Sequence, residues 1–318
     1  MSRRVLILST LLIILTVSCD KASLDSDMLS NEDINVSFYA EQPGYEFDVD
    51  IAYTRAADNA YEIGVIGFPV YEKDSLSNAL IGANLASCST GLCNAEFAGV
   101  IPGYITPIDA NVGINFPRYN NSALEVYSYI PYVPDEDLLF KDSTCYLSVN
   151  LYDDCFSTDY LYSGRVFKTR ADYSSNGKFS LQYKHAFAKL NLNVTVNKAI
   201  FNILQYVKIE ALEVYFNKSG VGYINLQDGT FISDDSNPSY INTPLNVVDE
   251  ELLINKEKLT ITIPLYIPAS MRITKINVRG RLSIANLPLL LPLEVSEDDL
   301  NFEQGKVYNV DIIYTPNI

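Results

Sequence analysis

Apolar residues recur at every second position along most of this chain, the period of strands that bury one face. Ile34, Val36 and Phe38 alternate within residues 34–40, and Tyr45, Phe47, Val49, Ile51 and Tyr53 within 45–53. Runs of strand-forming residues, with closely spaced glycines in the first and Pro131 and Pro134 ending the second, predict strands over 61–72, 123–133, 145–151 and 160–168. Further strands are predicted over 208–216, 222–226, 229–233, 258–268, 275–282, 287–295 and 306–314. The densest signal covers 178–196. There Phe179, Leu181, Tyr183, His185 and Phe187 share one parity, and Leu190, Leu192, Val194 and Val196 take the other. A one-residue slip turns every side chain to the opposite face, so two strand segments are predicted, joined by a kink near Ala186 to Lys189.

One stretch departs from this period. Ala199, Ile200, Ile203, Leu204 and Val207 are spaced as on a helix behind Asn197, a capping residue, which predicts a short helix over 197–208. The polar run 172–178, with its Asn-Gly pair, reads as a turn or linker. With 318 residues the chain exceeds what one core usually serves. The expectation is therefore all-β: an N-terminal sandwich domain over 20–176 and a C-terminal one over 177–318.

The N-terminus is of another kind. Arg3 and Arg4 precede an uncharged, mostly apolar run from Val5 to Leu15, broken only by Ser9 and Thr10, and Thr16, Val17 and Ser18 lead into Cys19. A basic segment, a short apolar segment and small residues before a cysteine spell a lipoprotein signal peptide over 1–19, with Cys19 the lipidated residue. As a membrane anchor, about 13 apolar residues would reach only about 20 Å, short of a bilayer core of about 30 Å. Residues 20–31 are polar and acidic, the composition of a tether.

A formal charge of -16 repels phosphate backbones, so nucleic acid is not an expected partner. It equally disfavours anionic lipid, which leaves the Cys19 lipid as the membrane attachment. Tyr is abundant, with 23 copies, and Trp absent, a balance that fits half-buried strands. After Cys19 four cysteines remain: Cys88, Cys93, Cys145 and Cys155. An even number in an exported chain suggests two disulfides, with the local pairings Cys88 to Cys93 and Cys145 to Cys155 favoured. Other pairings and free buried thiols stay open, whereas zinc is disfavoured by the spacings and by the single histidine.

That histidine, His185, lies on the apolar face of a strand, where a packed core role is expected rather than a catalytic one. The chain has no phosphate-cradling glycine loop, and no cofactor is implied. It is read as a non-enzyme. Exposed Tyr could still make one sheet face a glycan platform.

Several segments in order carry a family resemblance. They are Ser18-Cys19, the early strand followed by Thr54-Arg55-Ala56, IGVIGF at 63–68, EVYSYIPY at 125–132, YKHAFAKLNLNV at 183–194, PLYIP at 264–268 and FEQGKVYNVDI at 302–312. Together they resemble the fimbrillin family, subunits of type V pili in Gram-negative anaerobes. The resemblance implies two tandem transthyretin-like β-sandwiches, lipoprotein export to the outer membrane, and cleavage after an arginine by a surface protease. It further implies assembly with other fimbrial subunits by strand exchange, serving adhesion. On this chain the arginine is Arg55, so residues 20–55 form the removable segment; Thr169-Arg170-Ala171 repeats the tripeptide next to the linker and is the decoy. The donor would be the last strand, with Val307, Val310, Ile312 and Ile313 as its apolar side chains. A non-polymerising tip or anchor subunit and a glycan-binding surface lipoprotein are the alternatives.

Overall fold

The computed structural model describes residues 36–41, 54–55, 60–71, 94–109, 113–116, 122–141, 144–153, 156–236, 245–246, 252–284, 288–294 and 301–314. The first half contains β1 (Phe38–Glu41), β2 (Thr54–Arg55), β3 (Ala60–Tyr71), β4 (Asn94–Gly99), β5 (Gly103–Pro107), β6 (Ser122–Ile130), β7 (Leu138–Lys141), β8 (Thr144–Asn150), β9 (Leu161–Tyr162), β10 (Val166–Thr169) and the helix α1 (Arg170–Asn176). Next come β11 (Phe179–Gln182), β12 (Lys184–His185), β13 (Ala188–Val196), β14 (Tyr206–Phe216), β15 (Val221–Asn225), β16 (Phe231–Ser233) and β17 (Leu245–Asn246). The last are β18 (Leu252–Asn255), β19 (Thr260–Ile267), β20 (Ile273–Leu282), β21 (Pro288–Glu294) and β22 (Val307–Tyr314). The chain is all-β, as its period predicts.

The largest sheet runs β11-β1-β5-β4-β3-β6-β9-β12, with β10 on β6 and β2 on β3. Its two ends are consecutive pieces of one run, because only Tyr183 separates β11 from β12. The sheet thus closes on itself. Tyr183 helps to pin the closure: it is fully buried, and its hydroxyl lies 2.6 Å from Ser128 Oγ on β6, which donates to the Gly64 carbonyl on β3. Inside lies an aromatic-rich core that includes Phe38, Phe97, Phe116, Tyr173 and Phe179.

β3 and β6 are buried on both faces, and parity sorts their residues between two cores. Ile63, Val65, Leu124 and Val126 face the first core, while Ile66, Phe68, Tyr127 and Tyr129 face a second. Gly64 is required where the two strands cross-pair, since a Cβ there would collide with the Tyr129 ring. The second core is walled by three further sheets: β16-β15-β8-β7, β17-β14-β20-β21 with β18 on β14, and β19-β13-β22. β13 gives it Leu190, Leu192, Val194 and Val196 from one face.

The parity change predicted near 186–189 is where the chain passes from one core to the other. Tyr183 packs in the first, and Ala186, Phe187 and Leu190 in the second. The expected domain boundary at 176/177 therefore does not separate the two cores. β11 lies beyond it yet pairs with β1, and the hairpin β7-β8 lies before it yet pairs with β15. Long-range pairing outweighs the local turn signal.

Two local expectations are corrected. Residues 172–178 are not a plain linker, because α1 occupies most of them. Thr169 caps it: its side chain accepts from Asp172 N, the Asp172 carboxylate accepts from Thr169 N, and Gly177 ends the helix in a left-handed conformation (φ 66°). The helix expected over 197–208 shrinks to a single 3-10 segment, Lys198–Asn202, capped as foreseen by Asn197, whose side chain accepts from Ala199 N. From Tyr206 the chain is already β14, because Val207 pairs with Leu282 and Ile254 in a sheet that buries it. The predicted strand over 45–53 lies outside the described residues.

Candidate functional site

β1 is only four residues long, and it stands inside the largest sheet rather than at its edge. On one side it pairs in parallel with β11, Phe38 opposite Phe179 and Ala40 opposite Leu181. On the other it pairs antiparallel with β5, Phe38 opposite Ile105 and Ala40 opposite Gly103. Among the described residues no ladder joins β5 directly to β11. The residues just before β1 extend its grip: Phe179 N donates to the Ser37 carbonyl (2.8 Å), Val36 N to the Ile114 carbonyl (3.1 Å), and Ser37 N to the Tyr173 hydroxyl (2.7 Å).

The alternating side chains of β1 meet two surroundings. Phe38 and Ala40 are wholly buried. The Phe38 ring meets Phe97 edge-on at 5.4 Å and Phe179 at 5.7 Å, and Phe179 adjoins Phe116 and Tyr173. Such ring pairs add about 0.5–1.5 kcal/mol each beyond the area they bury. Outside, Tyr39 stands edge-on to Tyr104 at 5.1 Å, with Lys178 Nζ 4.2 Å above its ring. The seat of β1 therefore has a large apolar pocket, a small one two residues on, and an aromatic-cationic ledge between them on the outer face.

Arg55 was expected in a loop; its backbone instead pairs in β2, opposite Ala60 of β3. The rival Arg170 is the first residue of α1 and is only 6% exposed, so a protease cannot reach it without unwinding the capped turn. Cys19, Cys88, Cys93 and Cys155 lie outside the described residues. The expected pairing of Cys145 with Cys155 is not formed: Cys145 is a free thiol on β8, wholly buried in the second core. Burial pushes that thiol from its ordinary value near 9 up to about 12, so it stays protonated and poorly nucleophilic.

The four apolar residues of the last strand do not act together. β22 runs parallel to β13 along eight pairs, from Lys189 with Val307 to Val196 with Tyr314. Ile312 is buried in the second core and Val310 packs against it, whereas Val307 and Ile313 have the opposite parity and Ile313 is 66% exposed. The outer face of this sheet is a polar ladder, in which Asn191 donates to Asn309, Asn193 to Asp311, and Thr262 to Asn193. β22 is the edge of its sheet, and one flank of its backbone pairs with no other strand among the described residues.

His185 is also placed. It is buried on β12, with Nδ1 2.8 Å from Asp159 Oδ1, at the passage between the two cores. Its side chain has no solvent-facing surface from which to meet a substrate.

Among solved structures, a candidate cell adhesion protein from Bacteroides ovatus is similar to this chain at 15% identity, covering 89% of this chain and 92% of that one, with a TM-score of 0.49. A candidate cell adhesion protein from Bacteroides uniformis is similar at 14% identity over 88% and 94%, TM-score 0.48. The tip fimbrial protein Mfa3 from Porphyromonas gingivalis is similar at 9% identity over 90% and 97%, TM-score 0.35. No curated protein matches the chain. No helix of the described residues is long and apolar enough to cross a membrane. The family model described as fimbrillin-like matches residues 95–318, more than half of the sequence, and the chain belongs to that family.

Proposed function

We propose that this chain is a structural, non-enzymatic subunit of a cell-surface fimbria. It is exported as a lipoprotein held at the outer membrane through Cys19 and is cut after Arg55 by an arginine-specific surface protease. It then joins other subunits by strand exchange and serves adhesion. The observation that carries this reading is the seat of β1. A cut after Arg55 severs β1 from the rest of the chain, and loss of β1 leaves β5 and β11 each with an unpaired edge beside the emptied places of Phe38 and Ala40. Unpaired backbone beside exposed apolar surface favours accepting a strand from another chain. Before the cut the seat is filled, so the precursor is a monomer. After it, a head-to-tail contact that does not close on itself builds a fibre.

The test is to treat the purified precursor with an arginine-specific protease and look for SDS-resistant ladders. Wild type should form them and Arg55→Ala should not. A trimmed, folded wild type that stays monomeric would refute the polymerising role and favour a tip, an anchor or a glycan-binding lipoprotein. Export is tested separately: labelled fatty acid should enter the wild type and fail to enter Cys19→Ala.

A further inference from the structure

We infer that the cut after Arg55 does not by itself open the seat of β1, and that Tyr173 of α1 is the latch that sets how long the severed strand stays. This rests on the cleavage step of the reading above and adds a separate step, release, with the residue that governs it.

A severed β1 loses a covalent link and none of its contacts. It pairs at four positions with β11 and at three with β5, and Phe38 and Ala40 are wholly buried. On the same side of the cut β2 pairs at two positions with β3. A strand held between two ladders leaves only when both give way together with its apolar seat.

Residues 173–179 grip three successive residues at the start of β1. Ser37 is bound twice: its N–H donates to the Tyr173 hydroxyl at 2.7 Å, and its carbonyl accepts from Phe179 N at 2.8 Å. The Phe179 ring lies 5.7 Å from that of Phe38, and Lys178 Nζ stands 4.2 Å over the ring of Tyr39. The other end is held less. Ala40 is the last residue of β1 paired with β5, and Glu41 pairs with Gln182 alone among the described residues. A severed strand therefore frays first at Glu41 and parts last at Val36 to Phe38, where Val36 N also donates to the Ile114 carbonyl. The bonds made last before release are the ones that set its rate.

Of these bonds, those from Phe179 N and to Ile114 O join main chain to main chain, which nearly any sequence provides. The Tyr173 hydroxyl is a choice of sequence. A Phe in its place would fill the same space, 5.1 Å from the Phe116 ring and 5.8 Å from that of Phe179, without reaching Ser37. The element that carries it is also suited to a latch. α1 has seven residues, too few for a helix to stand alone, and it rests on its two caps and on the burial of Arg170 and Tyr173. Helix and strand thus support each other: Tyr173 holds Ser37, and Phe38 packs on Phe179, the ring against which Tyr173 lies.

The experiment cuts three full-length precursors, wild type, Tyr173→Phe and Tyr183→Phe, with the arginine-specific protease under native conditions. After dilution, the free segment ending at Arg55 is followed against time by size exclusion. Tyr183→Phe is the control, because it removes a buried hydroxyl of the same core that lies against Ser128 on β6. In the wild type the segment should stay with the body long after the cut is complete. Tyr173→Phe should release it about fivefold faster, the loss of one hydrogen bond. Tyr183→Phe should release it at the wild-type rate even though its urea midpoint falls. Departure of the wild-type segment as fast as it is cut overturns the retention. Equal rates in wild type and Tyr173→Phe, or the same acceleration in Tyr183→Phe, overturn the latch. A wild type that releases the segment slowly, is hastened by Tyr173→Phe and still remains monomeric supports the latch and refutes strand exchange.

Discussion

β1 and β22 are both short of tertiary support from their own sequence, and they differ most in what depends on them. β1 has four residues and two strand neighbours; β22 has eight residues and one. The shorter strand is the deeper one, because Phe38 and Ala40 are wholly buried and both ladders end on it, whereas β22 buries Ile312 and leaves Ile313 outside. Position in the sheet, not length, sets what removal costs. An edge strand that leaves uncovers one edge; an interior strand that leaves uncovers two and opens the core between them.

The widest separation between the two should come from truncating their apolar side chains in the uncut protein. Phe38→Ala should destabilise by about 3–5 kcal/mol, Ile312→Ala by about 2–4, and Ile313→Ala by no more than about 0.5. Urea unfolding measures all three. A Phe38→Ala protein no weaker than Ile313→Ala would break the comparison.

The His185–Asp159 pair lies where the chain leaves the core of β1 for the core under β22. Replacing His185 with Gln disturbs a buried hydrogen bond and should cost about 1–3 kcal/mol. If that pair couples the two cores, unfolding followed by two probes should lose coincidence in His185→Gln. A single coincident transition at an unchanged midpoint would show that the cores are joined by other contacts.

A smaller effect concerns the two arginines. Thr169→Ala removes the cap of α1, worth about 1 kcal/mol, and should make Arg170 cleavable alongside Arg55. Fragment mapping after brief arginine-specific proteolysis tests it; cleavage at Arg170 in the wild type at the rate seen at Arg55 would remove the protective role given to the helix.

The smallest effect is a slope with pH. Cys145 lies in the second core, and burial raises its thiol from near 9 to about 12. A group whose folded value exceeds its unfolded one holds its proton more tightly when folded. The stability it lends is therefore whole below a pH of about 9 and is lost as pH climbs towards about 12. Urea midpoints across that window should fall less steeply in Cys145→Ala, and alkylation of native protein at neutral pH should leave Cys145 unmodified.

Much of the strand content was legible because a strand's period is local. Leu190, Leu192, Val194 and Val196 alternate in the sequence and line one face of β13, and the parity change after Phe187 marks the passage between cores. Caps are local too. Thr169, Asp172 and Gly177 spell the helix that a polar composition disguised, and Asn197 marks the start of its 3-10 segment even though the turns beyond it yield to β14.

What the sequence by itself determined, then, is the class of element and the alternation of faces, both of which depend on neighbours a few residues apart. Which strands become neighbours was decided only in three dimensions. Nothing in residues 36–41 says that β11 and β5 will flank them, and nothing in 307–314 separates Ile312 from Ile313 except the side on which β13 lies. Either parity of β22 would form a strand. The second core accepts one of them, because burying Tyr308, Val310 and Ile312 against Leu190, Leu192 and Val194 removes apolar surface from water, and the choice leaves Ile313 facing out.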